Sequence, residues 1–222
     1  MNSFNNLKLK WKLVAGFSLP LLLLVLISTS VNNSITKLLE TQGWVEHTYD
    51  VMQVGNDTIG ALVNMETGLR GFMVTGDENF LEPYHEGNAA FQSLINKGKS
   101  LVSDNPAQVA KLERDWKGSH VDKAMRLRRD ANNGSIDDSA VAEFIKKAIG
   151  KTYMDKMRVQ LNDFISAEEV LIKVRKDDQA ATADTSLSIT LFGTLLALLL
   201  SGLAAYYIIR NLLSMIGGEP SY

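Results

Sequence analysis

Glu66 and Arg70 stand four residues apart, so on a helix they share one face. A carboxylate and a guanidinium at that spacing can close an ion pair that locks the helix. The guanidinium can instead turn outward and grip a ligand carboxylate with its planar fork. The residues alone leave both readings open. Arg126, Arg128 and Arg129 form a short basic run. Its plainest reading is a solvated helix end favoured by the helix dipole, and its sharper one a patch for an anionic ligand or partner. Glu66, Arg70 and Arg126 are therefore the candidate ligand-binding residues. Trp44 and His47 lie one turn apart, which suits packing and anchoring at a membrane boundary and would also suit a titrating imidazole. Glu82 and His85 match the Glu-x-x-His spacing of metal-binding bundles. Such sites need a second copy and further glutamates on facing helices, which the sequence does not offer, so no metal is expected. No Ser-His-Asp order, phosphate loop or pair of catalytic carboxylates emerges. The expectation is a non-enzyme with no catalytic residue and no cofactor.

The elements that carry these residues read as helices. From Trp44 an apolar series runs through Thr48, Val51, Gly55, Thr58, Leu62, Met65, Leu69 and Phe72. Its steps alternate four and three, as on a helix packed in a bundle. Val45, Met52 and Ile59 widen the stripe. At Thr75-Gly76-Asp77 a helix-ending glycine meets a helix-capping aspartate, so the chain turns a sharp corner. A second helix is expected over about 78–101, with Phe80, Leu81, Tyr84, Phe91, Leu94 and Ile95 on its apolar face. Ser103-Asp104-Asn105-Pro106 restarts a third helix, which runs to about Asp130 through Val109, Leu112, Trp116 and Val121. Asn132-Asn133-Gly134 is a turn. Ser135 or Asp137 caps a fourth helix, striped by Met154, Met157, Leu161, Phe164, Glu168, Leu171 and Arg175, with no breaker between Phe144 and Ile209. The expected fold is all-α: an up-down-up-down four-helix bundle with two transmembrane helices on its flanks. Its first and last helices continue into the membrane.

The membrane expectation comes from two uncharged stretches, 13–31 and 187–209, each the length that crosses a hydrocarbon core of about 30 Å. A cleaved signal peptide is the rival for the first, but its apolar run exceeds the usual length of about 7 to 15 residues. Lys8, Lys10 and Lys12 precede the first stretch and Arg210 follows the second, so the positive-inside rule places 1–12 and 210–222 in the cytoplasm and 32–186 outside. That central region carries about 19 basic and 24 acidic residues, a balance unsuited to nucleic acid. The chain has no cysteine, which removes disulfides, thiolate metal sites and thiol nucleophiles.

Several of these residues also carry a resemblance. Trp44-Val45-Glu46-His47-Thr48, then Glu66-Thr67-Gly68-Leu69-Arg70-Gly71, Thr75-Gly76-Asp77 and Pro83-Tyr84 resemble the type-three CHASE extracellular sensory domain. Asp155, Arg158, Glu168 and Arg175 fit that family's last helix. The resemblance spans about 40–180. It implies a receptor in a bacterial inner membrane that passes a periplasmic signal inward, generally as a homodimer. The stimulus would be a periplasmic small molecule or a binding protein. Gly217-Gly218-Glu219-Pro220 is similar to the entry of the HAMP relay domain of chemoreceptors. Gly217, Gly218 and Pro220 would then form a signalling joint to a cytoplasmic output module beyond the present chain. A chemotaxis transducer is the first expectation. A sensor histidine kinase, a diguanylate cyclase or a non-sensing dimerisation module are the alternatives.

Overall fold

The structure is a computed structural model that describes residues 9–102 and 105–216. The proposed joint at Gly217, Gly218 and Pro220, the basic flank at Lys8 and the restart residues Ser103 and Asp104 lie outside the described residues. Among the described residues the chain is all-α: α1 (Leu9–Thr75), α2 (Glu82–Leu101), α3 (Asn105–Trp116), α4 (Asp122–Asn132), α5 (Asp138–Lys146) and α6 (Ile149–Ile216). A single tight 3-10 turn, Glu78–Leu81, precedes α2. The chain divides into two compact units, one of residues 44–174 and one of 1–43 with 175–222.

The first unit is a four-limbed antiparallel bundle. Its limbs are the later part of α1, then α2, then α3 with α4, then the early part of α6. The pairing follows from who faces whom. Gly68 lies against Tyr84 and Gly87 against Ala61; Gly55 lies against Ile165, and Glu66 reaches Arg158. Glu113 meets Gln92, and Gln160 meets Gln108. Thr48, Val51, Thr58, Leu62, Met65, Leu69 and Phe72 are all buried, as their spacing predicts. Leu62, Met65, Leu69 and Phe72, with Leu81, Phe91, Trp116, Met154 and Met157, belong to one contiguous core. Each such large apolar side chain contributes about 1.5–3 kcal/mol by leaving water.

The corner forms as expected. Gly76 takes φ +71, a left-handed conformation in which a Cβ is strained. The Asp77 carboxylate accepts from the Asn79 N–H at 2.9 Å. The end of α4 closes over this corner. Asn132 Nδ2 donates to the Gly76 carbonyl at 2.6 Å, and Arg129 makes a two-pronged bond to Glu78 at 2.7 and 2.9 Å. Arg129 also lies over the Phe72 ring, and Arg128 pairs with Asp138 at 3.0 Å. Two of the three arginines in the basic run are therefore corner clamps rather than a solvated end.

Four expectations need correction. The third helix is not uniform: Lys117–Val121 is a π-helical turn between α3 and α4, with the Asp122 N–H reaching back to the Lys117 carbonyl. It slips the buried face by one residue, from Glu113 and Trp116 to Val121 and Ala124. The fourth helix is broken at Lys147-Ala148, so α5 is a separate short helix capped by Asp137. Ala148 sits at φ +51, and the chain restarts at Ile149. Trp44 does not start the buried stripe: it is 58% exposed and the adjacent Val45 is buried instead. Finally, Leu171 and Phe80 are exposed; Ile165 and Ile172 take the buried positions of the last helix.

The second unit pairs the early part of α1 with the late part of α6. Lys12 Nζ donates to Asn211 Oδ1 at 2.7 Å and Gln179 reaches Gln42 at 3.3 Å, so the two helices run antiparallel. Gly16 lies against Ile208 and Gly193 against Ile27, the small-residue contacts that let helices approach within a bilayer. Leu21, Leu22, Val25, Leu198, Leu199 and Leu203 are exposed in the chain by itself. Both helices are long and apolar enough to cross a membrane.

Candidate functional site

A cavity of about 350 Å³ opens beside the corner end of the bundle. Two breaks from ideal helix and one small residue shape it. The π turn brings Trp116 and His120 to its wall, the Ala148 kink swings α5 across so that Phe144 and Ile145 face it, and Gly150 at the start of α6 leaves space that His120 fills. The His120 ring stacks on Phe144, with centroids 5.0 Å apart. Leu69, Met73 and Val74 of α1 complete the apolar wall, and Glu66, Arg70 and Lys151 supply its charge.

Glu66 is the electrostatic centre. It is buried, and each of its oxygens holds one guanidinium: Oε1 accepts from Arg70 at 2.5 Å and Oε2 from Arg158 at 2.8 Å. The Arg70 side chain is 64% exposed. Arg158 crosses from α6, so its bond ties the first limb to the last. Asp155 receives Lys151 and lies 3.7 Å from Arg158. Those pairings, the Lys151 bond first, hold the Asp155 carboxyl below the usual carboxylate range. Burial pushes the His120 imidazole down, so it stays neutral where an exposed histidine begins to charge. Two polar atoms in this wall have no partner: Trp116 Nε1 and His120 Nδ1 are closed to solvent and unbonded. A buried donor or acceptor left so costs about 1–3 kcal/mol.

The candidate residues distribute as follows. Glu66 and Arg70 meet in the cavity, as an ion pair and as part of the lining together. Arg126 does not join them; it is exposed on α4, with its Nε donating to the Asp122 carbonyl at 3.2 Å. The glycines of the motif are contact points: Gly68 lies under the Tyr84 backbone and Gly71 under the Phe80 ring. Thr48 is buried and donates to the Trp44 carbonyl at 3.1 Å. Trp44 and His47 meet edge to face at 5.9 Å. Pro83 sits in the first turn of α2, and Tyr84 packs on Trp116 at 6.4 Å. Burial, with Glu113 and Asp122 adding to it, raises the Tyr84 phenol to about 12. Glu168 and Arg175 are partly buried along α6. Glu82 and His85 are exposed.

Sequence reasoning missed Trp116, His120 and Phe144 as a cavity wall, and also Glu113. That carboxylate is fully buried and is held by Lys117 and Gln92, while Lys117 also reaches Asn88. One signal was present in the sequence. The apolar step from Trp116 to Val121 is five residues, which an α-helix does not accommodate on one face and a π turn does.

The CHASE3 domain model matches residues 41–178, more than half of the 222-residue chain. The chain belongs to the CHASE3 family. CHASE3 domains are extracellular sensory domains of signalling receptors, which gives this chain a sensory input role. The matched span covers the whole bundle, including the Glu66–Arg158 bridge and every residue of the cavity wall. No curated protein and no solved structure matches the chain.

Proposed function

We propose that this chain is the input and membrane-spanning part of a receptor in a bacterial inner membrane. Its CHASE3 bundle would lie in the periplasm and both termini in the cytoplasm. The lysines before the first apolar stretch and Arg210 after the second support that orientation. The observation that carries the reading is α6. It begins at Ile149, lends Gly150 and Lys151 to the cavity wall and continues without a break to Ile216. A stimulus at the bundle shifts α6 against α1 at the Glu66–Arg158 bridge, and the helix carries that shift toward the cytoplasm. Packed interfaces switch between discrete arrangements, with helix shifts of about 1–2 Å. A homodimer in the lipid bilayer and a cytoplasmic signalling module complete the receptor. A chemotaxis transducer is the form that the Gly217–Pro220 segment favours. The chain performs no chemistry itself in this account, and Glu66 and Arg70 belong to the sensing site.

The test replaces residues 44–174 by an unrelated coiled coil in a receptor that carries this chain upstream of a kinase-coupled output. Loss of stimulus dependence supports the reading. Normal stimulus-dependent output contradicts it and leaves a module that only dimerises and spaces.

A further inference from the structure

We propose that the cavity bounded by Glu66, Arg70, Trp116, His120, Phe144 and Lys151 binds a small hydroxylated aromatic monocarboxylate. This deepens the sensory reading of the same site and rests on it.

Charge selects an anion. Two cationic side chains, Arg70 and Lys151, stand in the lining with one carboxylate, Glu66; Lys151 is also paired with Asp155 outside the lining, so Arg70 is the principal anchor for an anion. Glu66 is already held by Arg158 through Oε2. Arg70 is therefore the member of the pair that can leave. It is mostly exposed, sits on a flexible stem, and its departure leaves Glu66 with a charged partner still in place. Its fork suits a carboxylate with two parallel bonds. A dicarboxylate or a phosphate ester would bring more negative charge than the lining balances.

Shape and lining select the body. At about 350 Å³ the cavity lies near the lower end of ligand pockets, which run from about 300 to 1,000 Å³. That holds a single substituted ring and excludes a peptide or a nucleotide. Phe144, stacked on His120, offers a flat face, and the Met73 thioether favours an aromatic neighbour.

The unmet polar atoms select the substituent. The Trp116 indole can only donate, so its partner must accept. The neutral imidazole of His120 has one nitrogen that accepts and one that donates. A hydroxyl both accepts and donates, so it can satisfy the indole N–H and an imidazole lone pair. Both atoms lie closed beneath the lining, so the two rings turn slightly toward the ligand as it enters. Trp116 is the last residue before the π turn and His120 lies within it. Binding also relays to α6. Once Arg70 leaves for the ligand, Glu66 has Arg158 alone, and the bond between α1 and α6 becomes its only charged contact of the two.

The experiment is calorimetry on the full chain in lipid nanodiscs with three probes: 4-hydroxybenzoate, benzoate and 4-hydroxybenzamide. The acid should bind saturably, and the amide, which lacks the charge, about tenfold or more weakly. Arg70→Ala should weaken 4-hydroxybenzoate about tenfold and leave the amide unchanged. Trp116→Phe should weaken 4-hydroxybenzoate about fivefold and leave benzoate unchanged. Arg126→Ala, exposed on α4 and outside the cavity lining, should change none of them. Equal binding of acid and amide overturns the proposal. So does unaltered binding in Arg70→Ala, or no saturable heat with any probe from a chain that still unfolds cooperatively. Failure here and failure of the receptor reading separate cleanly. A chain that loses stimulus-dependent output on replacement of residues 44–174, yet binds no probe, overturns the site and keeps the receptor. Saturable, Arg70-dependent binding in a chain whose output survives that replacement supports the site and overturns the receptor.

Discussion

Neutralising Glu66 with Glu66→Gln tests the electrostatic centre of the bundle. The substitution keeps the volume and removes the charge that holds Arg158 at 2.8 Å and Arg70 at 2.5 Å. Removing one partner of a fully buried pair costs about 3–5 kcal/mol, and exposed pairs are worth about 0–1 kcal/mol. Glu66 is near the first limit. Arg158 is about one-third exposed, which lowers the figure, and Arg70 is mostly exposed. The expected loss is about 2 kcal/mol for Glu66→Gln, about 1.5 kcal/mol for Arg158→Ala and about 0.5 kcal/mol or less for Arg70→Ala. With a urea slope of about 2 kcal/mol per molar, the midpoint falls by about 1 M, 0.75 M and 0.25 M respectively. Double-mutant cycles should give a coupling of about 1–2 kcal/mol for Glu66 with Arg158 and a value near zero for Glu66 with Arg70. Urea unfolding of the full chain in detergent, followed by tryptophan fluorescence, reads all of these. An Arg70→Ala loss as large as that of Arg158→Ala would refute the division of labour, because Arg70 would then be a structural clamp and not a group free to meet a ligand.

Other consequences are as direct. Gly60→Ala and Gly68→Ala make the same change on one helix with opposite expected signs. A Cβ at Gly60 meets nothing within 4 Å, so the substitution gains about 0.8–1 kcal/mol of helix propensity. A Cβ at Gly68 would stand 2.5 Å from the Tyr84 backbone nitrogen. Limb separation of about 1–3 kcal/mol outweighs that gain, and paired urea midpoints decide it. His120 makes stability fall on mild acidification. Its folded pKa lies below its unfolded value near 6.5. The unfolded chain therefore binds the proton first as pH drops through that value, and stability decreases until the folded pKa is passed. His120→Gln should flatten the urea midpoint between pH 7.5 and 5.5; an unchanged slope would place the acid sensitivity elsewhere.

What could be read from the residues was what is local. The buried stripe from Thr48 to Phe72 follows from spacing, because an antiparallel bundle needs one continuous apolar face. The Gly76-Asp77 corner follows from backbone preference, since glycine tolerates φ +71 and aspartate caps the next turn. The break at Ala148 was illegible, because lysine and alanine are good helix formers and nothing local asks an alanine to adopt φ +51. The Phe144 ring that α5 carries stacks on His120 from the π turn, a contact between residues 24 apart in the chain. Glu66 and Arg70 were recognisable as a pair from their spacing. The stronger partner, Arg158, comes from 92 residues away, and no periodicity connects the two. The cavity was hidden for the same reason: its wall is assembled from α1, the end of α3, the π turn, α5 and α6.

The claim that α6 carries the signal as one continuous helix is tested most directly by inserting two glycines after Ala180, in a receptor that couples this chain to a kinase output. Ala180 lies within α6, beyond the cavity wall and before the second apolar stretch. The account predicts a bundle that unfolds at the same urea midpoint as before the insertion, with stimulus-dependent output lost. Unaltered signalling through the inserted glycines would contradict it.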